Sequence, residues 1–509
     1  MGHSWNKARS DARIATRFKE VKDVEVVDYT RTMSLENIPV CKAYRMDAAH
    51  LYIEIVNIDD LLACTDSEGP QCHQRTLRFL NQHYRAVHRI LSDTGAIRVD
   101  FHNQRLHAVV PQPYGDDSAA DRVARAVAIA QLAIGVLAET GDDDEHIPNA
   151  KVRVGIDTGS ALVVNNGRRS SREPLFLGSP ANRAAHCAGA GKAEGIYLTN
   201  SARLAMGFPA VESGKDKTTA LTPAQIESCV ERAGLDLSHE DIVDAWRDEQ
   251  EDYPIGSFDF SRPTPPLSDL DFDKLNAATT KRFEGVAVYA DIDGFTAYVD
   301  RHLADSPEDL VRTLHLLRSE LDAVVQVDFG GRRVRFIGDC LHGVLLEGTA
   351  KTTEIEDTIS TATLCAGGLR SGFERALAYL SENGIDTTAL GLAIGLEFGP
   401  VSLTRLGMKG DKIRCSLGRA VRTSEAEQER CKGAQTAIGV EAHKSASAAV
   451  KKLFGSARIV SGLTYNAAID QLKSSDDRVA KSAYTEAMQV YAPAIVSSLG
   501  EPIRTHVSG

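Results

Sequence analysis

Apolar, β-branched and aromatic residues gather into two runs, His50 to Ile58 and Gly285 to Ile292, each of which reads as a strand. Behind each run comes a stretch of helical spacing, then an alternating, hairpin-like segment (Ile97 to Val110; Arg333 to Leu346). A further helix follows (Ala119 to Glu139; Ile359 to Glu382), and then a strand that contains glycines. Those last strands read VRVGIDTG over 152–159 and LAIGLEFG over 392–399, pairing Gly155 and Gly159 with Gly395 and Gly399. Gly178 lies 19 residues after Gly159, and Gly418 lies 19 residues after Gly399. Tyr52–Ile55 matches Tyr289–Ile292 at an offset of 237, and Leu106–Val109 matches Leu341–Val344 at an offset of 235. Landmarks in one order at a nearly constant offset are the mark of an internal repeat with loop insertions. Alternating strands and helices predict an α/β (α+β) fold in which helices pack on a mixed sheet, built twice.

The repeat predicts a first domain over 45–213 and a second over 282–465, with an N-terminal extension over 1–44. Between the copies, Thr222-Pro223-Ala224-Gln225 reads as a capped helix start and Ser261-Arg262-Pro263-Thr264-Pro265-Pro266 as an extended tether, giving a helical insert and linker over 214–281. The tail over 466–509 reads as helical. Composition narrows the class. The 509 residues are 43% hydrophobic and 25% charged, as in ordinary globular domains. A net charge of -12 argues against a general nucleic-acid or acidic-membrane binder. No apolar run is long enough to span a bilayer, and Met1 to Asp28 lacks the apolar stretch of a secretory signal. Nine cysteines without metal-ligand spacing fit reduced thiols in a cytoplasmic protein.

Chemistry concentrates in the second copy. In Val288-Tyr289-Ala290-Asp291-Ile292-Asp293-Gly294-Phe295-Thr296 an apolar strand delivers a carboxylate and then turns at a glycine that lets phosphate approach the backbone. Arg335-Phe336-Ile337-Gly338-Asp339 follows on the predicted hairpin. Two carboxylates at neighbouring strand ends could hold two magnesium ions, which would activate an attacking oxygen and steady a displaced phosphate. The plainer alternative makes Asp293 and Asp339 turn caps.

The first of these segments closely resembles the F-x-D-I-x-G-F-T signature of class III nucleotide cyclases, and the second resembles their K-x-x-G-D hairpin with Arg335 in place of Lys. The resemblance spans both repeats. It implies two ferredoxin-like cyclase domains in an intramolecular pseudo-heterodimer. It also implies two divalent cations, Mn²⁺ or Mg²⁺, on Asp291, Asp339 and the Ile292 carbonyl, with Gly294, Phe295 and Thr296 at the triphosphate. In this family the domain opposite the metals supplies an Asn and, four residues later, an Arg. The first copy carries Asn182 and His186 at those positions, in Leu175-Phe176-Leu177-Gly178-Ser179-Pro180-Ala181-Asn182-Arg183-Ala184-Ala185-His186. Helical spacing puts both on one face, where a protonated His186 could supply positive charge. A helix N-cap is the competing role for Asn182. The copies are degenerate in opposite ways: the first has Glu54 and Gln104 at the metal positions, and the second has Arg422 and Ala426 at the Asn and Arg positions. One competent site and one pseudo-site follow.

Purine-specific relatives read the base with the hairpin Lys and an Asp near the Asn motif. Asp100 and Leu175 stand there, and an ionised Asp100 can accept a hydrogen bond from uracil N3–H or the cytosine amino group. Leu175 reads more simply as a core residue. The stretch from Thr32 to Tyr52, Arg105–Val110, Tyr52 and Tyr289 two residues before the metal positions, and Arg335 all resemble the bacterial pyrimidine cyclases of the Pycsar antiphage system. That resemblance implies a cyclic UMP or cyclic CMP product, UTP being favoured over CTP, read by a separate effector protein. Ordinary strand packing is the alternative for both tyrosines. An adenylate or guanylate cyclase, and a nucleotide-binding pseudo-cyclase whose chemistry is lost, are the competing functions.

Overall fold

The computed structural model describes residues 3–62, 68–102, 104–115, 118–142, 146–165, 174–408, 410 and 412–491. Its two sheets are built on the two predicted strand runs. In the first, the long strand Lys42–Ile55 lies between Arg105–Val110 and Val152–Asn165, and Ile97–His102 forms the edge beyond the hairpin. In the second, Thr280–Asp293 lies between Cys340–Leu345 and Gly391–Leu406, with Arg332–Ile337 at the edge. The repeat holds at the level of single residues. Tyr52 pairs with His107 on one side and Gly155 on the other, and Tyr289 pairs with His342 and Gly395. Each hairpin carries a register shift at the same place, between Arg98 and Asp100 and between Arg333 and Arg335.

The repeated glycines follow from helix packing. A methyl group on Gly155 would run into the Ala184 carbonyl and the Ala188 nitrogen of helix Ser179–Ala188. One on Gly395 would run into the Ser424 carbonyl and the Gln428 nitrogen of helix Arg419–Glu429. Each helix thus rides on its own sheet at backbone contact, which fixes where its side chains enter the space between the halves.

The halves share their cores. Leu162, Val164, Leu175 and Leu177 of the first are buried with Val286, Leu314 and Leu341 of the second, and Leu406, Ile413 and Leu417 of the second are buried with Leu77 and Phe101 of the first. Burial of apolar surface in both directions makes the pair one body.

Two segments outside the repeats differ from their sequence reading. Helix Lys7–Glu20, capped by Asn6, packs on helices Pro307–Ala323 and Ile355–Glu382 of the second half, burying Trp5 and Ile14 in its core. Arg13 donates to Glu320 and Asp328 there. The strand after it, Glu25–Asp28, pairs in parallel with Lys42–Arg45 of the first half, so the N-terminal segment joins both halves instead of extending from one. The predicted tether is packed: Phe260–Ser261 pairs with Thr280–Lys281, and Leu267, Phe272 and Leu275 are buried, because apolar residues placed this densely hold to a surface. The insert helix Pro223–Ala233 has the expected capping box between Thr222 and Gln225. In the tail, helices Tyr465–Ser474 and Arg478–Tyr491 pack on Ile355–Glu382, while 492–509 lie outside the described residues.

Candidate active site

Strand Thr280–Asp293 ends on Asp291, Ile292 and Asp293, and helix Phe295–Asp305 starts immediately after Gly294. Ile292 and Phe295 are buried, which anchors the turn from below, while Asp291 is half-buried and Asp293 and Thr296 are exposed. In the hairpin, Ile337 pairs with Cys340, leaving Gly338 and Asp339 as a two-residue turn. Asp293 is held apart, accepting from the Gly433 N–H at 2.8 Å. Burial, together with the charges of Asp293 and Glu429, raises Asp291 to about 6. Burial and the Asp291 charge raise Asp339 well above the usual carboxylate range. Two carboxyl groups pushed up by burial and by neighbouring negative charge are a donor set short of positive charge, and a divalent cation between them would supply it. The residues fit the cations that the sequence implies.

Across the cleft stands helix Ser179–Ala188. Gly178 is its N-cap, so Asn182 lies inside the helix and caps nothing. Its side-chain Nδ2 donates to Thr296 Oγ1 at 3.1 Å, and Ser179 Oγ donates to Asp300, which ties the Asn helix of the first half to the turn after the carboxylate strand of the second. The cleft between the halves holds a cavity of about 440 Å³, lined by Asp100, Gln104, Arg105 and Asn182 from one half and by Asp339 and Arg422 from the other. An adjoining space of about 400 Å³ is lined by Tyr289, Asp291 and Asp293, and the two share Glu425 and Glu429. Both are within the range of small-molecule sites.

Four residues singled out from the sequence have neighbours that the sequence did not reveal. His186 is exposed and is not part of the cavity wall, which takes Ala181, Asn182 and Ala185 from this helix. Partial burial of its ring and the nearby Lys217 and Arg105 lower its pKa, which disfavours the protonated form that would supply charge. The cations that line the cavity are Arg105 and Arg422. Arg335 is buried and donates across the interface to the Phe101 carbonyl and the Asp100 carboxylate. Asp100 and Arg335 occupy matching positions in the two repeats, opposite His107 and His342, so they meet across the pseudo-twofold axis. Asp100 still lines the cavity, but one oxygen is committed to Arg335. Tyr289 stacks on His342 at 4.4 Å, and its hydroxyl lies 3.2 Å from His102 Nε2. Burial lowers His342 to about 3, so that ring is neutral.

Sequence reasoning missed Glu425 and its neighbour His102, 3.9 Å apart. Burial would raise Glu425, but the His102 ring and Arg105 outweigh it and leave the carboxyl below its usual value. No local motif marks this contact, since it joins a hairpin of one half to a helix of the other.

The degenerate positions are filled by protein. Arg105 Nε donates to Glu54 at 2.6 Å, and the Gln104 amide donates to Glu54 at 3.3 Å. Arg422 pairs with Asp59. No helix among the described residues is long and apolar enough to cross a membrane.

Known proteins agree with this architecture. The adenylate and guanylate cyclase catalytic domain family matches residues 43–221. A uridylate cyclase of Pseudomonas aeruginosa is 53% identical over 489 residues, covering 96% of this chain and 95% of its own. A uridylate cyclase of a Rhizobium species is 38% identical over 435 residues, 82% of each chain. Among solved structures, a class III adenylyl cyclase-like ATP-binding protein from Pseudomonas aeruginosa superposes with a TM-score of 0.91 at 53% identity, over 93% of this chain and 100% of that one. At these identities and coverages, and with both sheets present, the chain belongs to the class III nucleotide cyclases and is a nucleotide cyclase with two fused cyclase-homology domains.

Proposed function

We propose that this cyclase converts a pyrimidine nucleoside triphosphate, UTP in preference to CTP, to its 3′,5′-cyclic monophosphate and pyrophosphate. The observation that carries the reading is the division of the candidate residues between the halves: Asn182 of the first and Asp339 of the second line one cavity, and Asp291 lines the space adjoining it. Two divalent cations, Mn²⁺ or Mg²⁺, held by Asp291, Asp339 and the Ile292 carbonyl, would acidify the ribose 3′-hydroxyl and neutralise the triphosphate. The N-terminus of helix Phe295–Asp305, behind Gly294, offers backbone N–H groups and a positive dipole end to phosphate. Asn182 orients the ribose for in-line attack on the α-phosphorus. The base choice rests on the uridylate cyclase names of the two relatives, and on a cavity wall where Asp100 presents a carboxylate acceptor that a uracil N3–H can meet.

An adenylate-type reading is favoured by one observation, the description of the solved relative as an adenylyl cyclase-like ATP-binding protein. By resemblance to the Pycsar cyclases, the product would serve as a cytoplasmic antiphage messenger read by a separate effector. Incubation of the purified chain with ATP, GTP, CTP and UTP plus Mn²⁺, with products identified by mass spectrometry, tests the proposal. Cyclic UMP as the dominant product supports it. A cyclic purine product overturns the base assignment and keeps the residue roles.

A further inference from the structure

The two hairpin turns differ in more than their tips. In each half, a long helix lays one side chain against the aromatic residue three positions before the second metal position. In the first half that side chain is Tyr84, whose ring lies 4.9 Å from Phe101. In the second half it is Arg318, whose guanidinium lies 4.3 Å from the Phe336 ring. Phe101 and Phe336 are matching residues, each one position beyond the register shift of its hairpin. Arg therefore accompanies the half with Asp339, and Tyr accompanies the half with Gln104.

Arg318 is an expensive choice for this place. It is buried, and its Nε and Nη1 have no hydrogen-bond partner among the described residues. Its Nη2 donates to the carbonyl of Gly338, the residue before Asp339. A buried cation with two unmet donors carries a heavy desolvation penalty, and a neutral side chain would fill the space, as Tyr84 does in the other half. The contact with Gly338 gives the cation a use. Gly338 has φ +59 in a two-residue turn, so its carbonyl direction sets where the next residue points. That next residue is Asp339.

We propose that Arg318 is a positioning residue of the cation site. Its guanidinium, braced on Phe336, grips the Gly338 carbonyl and so holds the Asp339 carboxylate against that of Asp291, ready to take a divalent cation. The inference rests on the cation assignment made above. It predicts that outer-sphere support comes from a helix of the same domain, and that this support was replaced by a phenol where the metal position became Gln104. Outer residues of this kind typically carry about 10- to 100-fold in metal affinity.

The test titrates Mn²⁺ alone into the full chain and follows the electron paramagnetic resonance signal of free Mn²⁺, for wild type, Asp339→Ala, Arg318→Met and Arg318→Lys. The expected result is loss of binding in Asp339→Ala, weakening of about tenfold or more in Arg318→Met, and a smaller weakening in Arg318→Lys, which keeps charge without the planar fork. In turnover assays, the Mn²⁺ concentration for half-activation should rise in parallel, while the KM for nucleotide at saturating Mn²⁺ stays near wild type. Wild-type Mn²⁺ affinity in a folded Arg318→Met overturns the proposal. Should that variant fail to fold, wild-type affinity in Arg318→Lys overturns it instead. Unchanged binding in Asp339→Ala would overturn the cation assignment itself, a result distinct from failure at Arg318 alone.

Discussion

The first-half turn and the second-half turn are the same piece of architecture under opposite electrostatic demands. Strand pairing, hairpin register and the aromatic residue on the edge strand match residue for residue. In the second half, the Asp291 charge acts on Asp339, and burial raises both. In the first half, one carboxylate has become neutral Gln104 and the other, Glu54, receives Arg105 and the Gln104 amide. Once the first half no longer needs an external cation, its own side chains complete the charge balance. The second half leaves its balance open, which the fold alone would not favour. On the proposed reading, the unbalanced pair marks the half that holds the cations.

The sharpest way to break this comparison is to remove a metal-position side chain from each half. Asp339→Ala should lower kcat by more than about a thousandfold with the fold intact by circular dichroism, because the cation and the charge it offsets are both lost. Gln104→Ala, the matching change, should leave turnover close to wild type. Equal effects from the two would show that the halves share the chemistry. The Asn position gives the next largest contrast. Asn182→Ala should lower kcat by about a hundredfold with a smaller change in KM, the signature of an interaction made mainly in the transition state. Arg422→Ala should cost far less, since Arg422 is engaged with Asp59.

How far the sequence reveals this depends on the range of each contact. The repeat, the strand–hairpin order and the Asp291/Asp339 pair are legible because they are written in local spacing: an apolar strand ending in a carboxylate, and a Gly-Asp turn. The N-terminal helix is not, because nothing between Lys7 and Glu20 states that it will pack on helices some three hundred residues later. The pairing of Asp100 with Arg335 is also hidden. Each reads locally as part of a separate nucleotide pocket, and only the pseudo-twofold arrangement brings the two matching positions together. His186 shows the limit of helical periodicity. Positions i+3 and i+4 flank position i on opposite sides, so the roll of the helix decides which of them joins Asn182, and here it is Ala185.

The open charge balance also predicts a pH dependence. An aspartate ionises near 3.8 in an unfolded chain, whereas Asp291 in the fold reaches about 6. The folded state therefore prefers the protonated carboxyl. The stability from this group is full below about pH 4 and is lost as pH rises through about 6, leaving the metal-free protein weakest above that range. Asp291→Asn removes the penalty. In excess EDTA at pH 7.5 it should be more stable than wild type by about 1–2 kcal/mol, a figure discounted because Asp291 is only half-buried, and the gain should fade by about pH 4.5. Thermal melts across that range provide the check. A gain independent of pH would mean that packing, not charge, separates the two proteins.

The smallest expected effect has the opposite sign and comes from the other half. Glu54 stands where Asp291 stands, so Glu54→Gln is the matching removal of a carboxylate charge. Here the charge is already compensated, since Arg105 Nε donates to it at 2.6 Å. Losing it should destabilise the protein, and by less than about 1 kcal/mol, because the Arg105 side chain is 40% exposed and water will solvate much of what the pair releases. The same melts in EDTA at pH 7.5 measure it. Stabilisation by Asp291→Asn together with slight destabilisation by Glu54→Gln would establish that one carboxylate position is open and the other closed. Stabilisation by both would mean that Arg105 does not balance Glu54 in solution. The first half would then retain a cation-hungry site of its own, and its degeneracy would have to be explained by Gln104 alone.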